Sequence, residues 1–114
     1  MTPRAQLLAA VARDIQALLQ APGRRGVLRV GIDGVDGAGK TTFADELAAT
    51  LSDAGVGCIR SSVDGFHQPR ALRYARGRQS PEGFYRDSYD YPALRANLLD
   101  PLGPGGTGRY RTAV

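Results

Sequence analysis

The chain has 114 residues, 42% of them hydrophobic, with a formal net charge of +4 and a single cysteine, Cys58. That length holds one domain at most. The lone cysteine excludes an internal disulfide and fits a reducing, cytoplasmic compartment. No run approaches the ~18 consecutive apolar residues of a membrane span, and the positive charge permits an anionic partner without naming one.

The first predicted element is a helix. Thr2 stands as its N-cap and Pro3 in its first turn, and Leu7, Leu8, Val11, Ile15, Leu18 and Leu19 recur at helical spacing. Arg13, Asp14 and Gln16 interrupt this segment, which argues against a signal peptide. Ala21-Pro22-Gly23 stops it. Residues 27–33, VLRVGID, read as an apolar strand suited to burial in a parallel sheet. A glycine-rich turn follows. Phe43, Ala44, Leu47, Ala48 and Leu51 then mark a second helix that ends near Gly55. Residues 58–64, CIRSSVD, read as a second strand, more polar and so nearer a sheet edge. Strand, glycine loop, helix and strand make one βαβ unit.

Residues 65–90 are irregular and include Arg70, Arg73, Arg76 and Arg78. A solvated charged face is the common outcome for such a run. No DNA- or RNA-binding signature accompanies it, so nucleic acid is not expected as a partner. Ser80-Pro81-Glu82 signals a short helix. Pro92 to Leu99 forms another, with Leu94, Leu98 and Leu99 as its apolar residues and Asp100-Pro101 as its stop. GPGGTG, 103–108, is a loop, and RYRTAV, 109–114, opens as a strand. The whole of 1–114 therefore reads as a single, partial domain: an N-terminal helix (1–22), a βαβ unit (27–64) and a following segment (65–114).

Gly34-Val35-Asp36-Gly37-Ala38-Gly39-Lys40-Thr41 matches the phosphate-loop pattern G-x-x-x-x-G-K-[ST], and Thr42 extends it into the helix. Glycines allow backbone N–H groups to turn inward around phosphate oxygens. The helix that follows adds unpaired N–H groups and a partial positive charge. The chain has 14 arginines and one lysine, and that lysine is Lys40. A compact ammonium reaches between β- and γ-phosphates where a planar guanidinium does not fit. Thr41 would offer its hydroxyl to Mg²⁺. A dinucleotide loop of the form G-x-G-x-x-G would need glycine at position 42, which is threonine. A guanine-reading N-K-x-D motif is excluded because no second lysine exists.

On this loop and two further stretches the sequence resembles the uridine kinase family. The stretches are GIDGVDGAGKTTFADELA (31–48), SVDGFHQPR (62–70) and RGRQSPEGFYRDSYDYPAL (76–94). The resemblance implies a three-layer αβα P-loop fold with a parallel sheet, represented here by its N-terminal half. It also implies transfer of the γ-phosphate of ATP or GTP, with Mg²⁺, to the 5′-hydroxyl of a pyrimidine nucleoside. Phosphoribulokinases and pantothenate kinases share parts of this layout. Asp64 matches the family's catalytic base and would also approach the magnesium shell; the lesser reading on the residues alone is an Asp that starts a turn with Gly65. Asp90 matches the acid that holds the ribose hydroxyls, and alone it reads as a helix N-cap before Pro92. Phe66, His67, Tyr85 and Tyr89 would line the acceptor cleft or serve as packing residues. His67 is the only histidine and has no partners at metal spacing, so a zinc site is rejected.

Members of that family carry further strands, another magnesium-binding acid and an arginine-bearing lid. This sequence has no acidic residue after Asp100. The expectation is a C-terminally truncated member, with a non-catalytic nucleotide-binding module as the alternative. Exposed apolar strand edges would leave room for a homo-oligomer.

Overall fold

A computed structural model describes residues 2–34, 37–68, 76–77 and 89–114. They fall into two compact units, Met1–Arg60 and Ser61–Val114.

In the first unit, helix α1 spans Pro3–Leu19. The Thr2 hydroxyl oxygen accepts the Ala5 N–H at 3.1 Å, as an N-cap does. The buried residues are Leu8, Ala12 and Ile15, with Val11 and Leu19 beside them. Leu7 and Leu18, expected on the same face, are 54% and 55% exposed. The stripe is narrower than the apolar pattern suggested, and Ala12 completes it. Helix α2 spans Lys40–Asp53 and buries Ala44, Leu47 and Leu51. It ends at a glycine in the left-handed region: Gly55 has φ +83°, its N–H donates to Ser52 O, and Val56 N–H donates to Leu51 O, both at 2.9 Å. This paired closure satisfies the last carbonyls of the helix and folds Val56 back onto the core beside Leu51.

Leu8, Ala12 and Ile15 of α1 meet Leu47 and Leu51 of α2 in one cluster, flanked by Leu28, Ile32 and Phe43. Leu47, 4% exposed, sits in this small core. Truncating it to alanine is expected to lower stability by about 2–5 kcal/mol, from lost transfer energy plus a cavity that the helices fill only in part. Urea unfolding followed by circular dichroism measures the change. Two ion pairs brace α2 from outside: Arg4 Nε to Glu46 Oε2 at 2.6 Å and Arg60 Nη2 to Asp45 Oδ1 at 2.8 Å. Water screens both.

The parallel sheet expected from the sequence does not form. Among the described residues there is no strand, so the three-layer αβα arrangement is overturned. Residues 27–34 and 56–62 carry no regular structure. The physical reason lies in how the apolar faces are used. A buried parallel strand needs partners on both edges and cover on both faces. Here the two helices bury their stripes largely against each other, and only Leu28 and Ile32 of the first segment join them. Val27 and Val30 remain 50% and 49% exposed. In the second segment Cys58, Ile59 and Arg60 are exposed, and Arg60 turns to Asp45.

In the second unit, residues Val63–Phe66 form a single tight helical turn. The Ser62 hydroxyl oxygen accepts Asp64 N–H and the Ser62 carbonyl accepts Gly65 N–H, each at 3.1 Å. Phe66 is fully buried and anchors the turn. His67 and Tyr89 form an isolated antiparallel bridge. Helix α3, Tyr91–Leu94, starts at Asp90. It continues as a widened turn, Arg95–Leu99, in which Asp100 N–H bonds the carbonyl five residues back, Arg95 O, at 2.8 Å. The predicted helix over 92–99 is therefore present, with its second half in π geometry and Leu98 buried. The predicted strand over 109–114 is absent. That segment is tied by Arg111 N–H to Asn97 O at 2.7 Å and Val114 N–H to Gly65 O at 3.0 Å.

Candidate functional site

The glycine-rich loop leads into α2 from its N-terminal end. Gly37 and Gly39 take φ values of +80° and +85°, a region that side chains resist; of these, Gly39 is a glycine the motif requires, and Gly37 stands at one of its free positions. Gly39 is the N-cap, Lys40 the first helical residue, and Phe43 N–H makes the first helical bond, to Gly39 O at 2.9 Å. The N–H groups of Thr41 and Thr42 consequently have no partner inside the helix. Both residues are exposed, as are Gly37 and Ala38.

The Lys40 side chain folds back along the loop, and its ammonium donates to Gly34 O at 2.7 Å. The fold-back passes over Gly34 itself. A Cβ there would stand 3.4 Å from Lys40 Cγ and 3.5 Å from the Ala38 Cβ. Both are ordinary van der Waals distances, and the Gly34 N–H is held by Asp33 Oδ1 at 2.8 Å. Val35 and Asp36 lie outside the described residues. One ammonium, outward-facing helix N–H groups and a nearby hydroxyl are a donor set that suits a phosphate chain and its magnesium, with Thr41 as the hydroxyl for the metal.

The residues expected on the acceptor side that the structure describes lie in the second unit. Asp64 was expected at the end of a strand; it sits instead in the Val63–Phe66 turn, with its side chain 69% exposed. Three groups gather there. Asp64 Oδ1 is 3.5 Å from the Tyr89 hydroxyl and 3.8 Å from His67 Nε2. The His67 and Tyr89 rings stack at 4.9 Å between centroids and 15° between planes, and Tyr91 tilts against Tyr89 at 6.0 Å. Of the expected aromatic wall, Phe66 is fully buried and so packs the turn, while His67 and Tyr89 stand beside Asp64. Tyr85 lies outside the described residues, as do Arg70, Arg73, Arg78 and the helix expected at Ser80-Pro81-Glu82.

Asp90 caps α3: its Oδ1 accepts Ala93 N–H at 3.0 Å. Its N–H donates to Phe66 O, which couples the helix start to the turn that carries Asp64. Sequence reasoning missed the serine that caps this turn. The Ser-Val-Asp spacing at 62–64 is the signal for it, since a serine hydroxyl readily accepts the N–H two residues on. It also missed the Gly34 carbonyl as a partner of Lys40, for which no local pattern exists.

No group of three or more His, Cys, Asp or Glu side chains that could hold a metal occurs among the described residues. None of their helices is long and apolar enough to cross a membrane. Comparison with protein-family models, with curated proteins and with solved structures gives no match in any of the three.

Proposed function

We propose that residues 34–42 bind the phosphates of ATP or GTP with Mg²⁺, and that the chain is a uridine kinase-type phosphotransferase acting on the 5′-hydroxyl of a pyrimidine nucleoside. The observation that carries this reading is the return of Lys40 across a glycine loop whose left-handed residues lead directly into a helix N-terminus. The motif, the local geometry and the chain's single lysine support this reading. Lys40 offsets charge on the β- and γ-phosphates, and Thr41 supplies a hydroxyl to magnesium. On the acceptor side Asp64 takes the proton of the 5′-hydroxyl as that oxygen bonds the γ-phosphorus and the bond to the bridging oxygen breaks. Asp90 holds the ribose hydroxyls, with His67 and Tyr89 nearby. The test is transfer of labelled γ-phosphate from ATP to uridine or cytidine. Turnover of pantothenate or a sugar phosphate with both nucleosides inert would keep the nucleotide site and overturn the acceptor.

Asp90 serves as cap and ligand at once, with Oδ1 already engaged. Asp90→Asn retains a good cap and is expected to leave the thermal midpoint nearly unchanged while weakening uridine binding. Asp90→Ala loses the cap as well, at about 1 kcal/mol of stability. Thermal unfolding together with calorimetric titration of uridine separates the two roles.

A non-catalytic nucleotide-binding module is the second reading. It is favoured by the lack of any strand among the described residues to fix the loop against an acceptor.

A further inference from the structure

The turn that carries Asp64 is pinned from its far side by residues distant in sequence. Val114 N–H donates to Gly65 O at 3.0 Å. The Thr112 carbonyl and the Ala113 backbone lie so close to Gly65 that a Cβ at position 65 would collide with the Thr112 oxygen and stand 3.2 Å from Ala113 Cα. Gly65 is not in the left-handed region, so conformational freedom does not explain a glycine here; close approach does. On the other flank Phe66 is fully buried, and its carbonyl accepts Asp90 N–H. Ser62 caps the start of the turn. The backbone around Asp64 is therefore held at Ser62, Gly65 and Phe66, while the carboxylate itself stays exposed.

We propose that Thr112–Val114 and Gly65 form a clasp that fixes where the Asp64 carboxylate stands, which makes Gly65 a positioning residue of the acceptor side. The role in transfer rests on the function proposed above; the clasp itself does not. A methyl group at position 65 cannot be absorbed by a flexible side chain, because what it meets is backbone. The segment 112–114 must move away, and the bond from Val114 is lost. The turn then keeps its Phe66 anchor but not its outer brace, and a base misplaced by about 1 Å costs on the order of a hundredfold in rate.

The experiment uses Gly65→Ala and, as an independent break of the same clasp, Val114→Pro, which removes the donor N–H and leaves Gly65 intact. Amide hydrogen exchange in the wild-type chain is expected to show Val114 protected, and in Gly65→Ala to show that protection lost. Both variants are expected to lower kcat for uridine phosphorylation by about a hundredfold while KM for ATP holds. Placed in an Asp64→Asn background, Gly65→Ala should add no further loss, because both changes act through one carboxylate. Unprotected Val114 in the wild type, protection unchanged in Gly65→Ala, or losses that multiply in the double variant each overturn the proposal. A wild-type chain with Val114 protected but no transfer to uridine or cytidine leaves the clasp standing, and overturns the proposed function together with the positioning role.

Discussion

Lys40→Arg is expected to transfer phosphate no faster than Lys40→Ala, with both about 10²–10³-fold below the wild type. The size follows from removing one preorganised charge at a transferring phosphoryl group, about 3–4 kcal/mol at the transition state. The failure of arginine follows from shape. The lysine stem runs over Gly34 with 3.4 Å to a Cβ placed there, and the ammonium reaches Gly34 O at 2.7 Å. A planar guanidinium presents its donors in a fixed fork and does not reproduce the point contact of an ammonium. The chain uses arginine at all its other cationic side chains, so a site that accepted arginine would give no reason to keep a lysine. Steady-state rates with ATP and uridine decide the matter: turnover of Lys40→Arg equal to wild type contradicts it.

Asp64→Asn should retain nucleotide binding and lose about 10²–10⁴-fold in transfer to the nucleoside, the usual contribution of a positioned general base. Asparagine has the same shape and can still face the Tyr89 hydroxyl, so the 63–66 turn, capped by Ser62 and anchored by Phe66, keeps its form. An unchanged thermal midpoint with lost transfer assigns the effect to proton acceptance. Equal rates in variant and wild type would remove Asp64 from the chemistry.

The helices were legible because their signals are local. Thr2 and Pro3 start α1, Gly39 and Lys40 start α2, Gly55 ends it, and Asp90 starts α3, each through bonds spanning a few residues. The sheet was misread because strand pairing is non-local. VLRVGID has the composition of a buried strand, but composition does not supply edge partners, and its burial depends on what α1 and α2 leave uncovered. Leu28 and Ile32 reach the core and Val27 and Val30 do not, an outcome set by helix packing. The glycine-rich turn before α2 was legible, Gly39 with its left-handed backbone included, because its demands lie within a few consecutive residues. In the second unit the grouping of Asp64, His67 and Tyr89 joins residues 25 apart through one bridge, and the approach of Thr112 to Gly65 joins residues farther apart still. Neither leaves a pattern in the sequence, although the identity of Gly65 is its trace.

The most direct test of the phosphate-loop reading is calorimetric titration of ATP into the wild-type chain and into Lys40→Ala, with and without Mg²⁺. The account predicts one saturable site in the wild type that requires magnesium, is competed by inorganic triphosphate and is lost in Lys40→Ala. No binding by the wild type, or equal binding by both proteins, would contradict it.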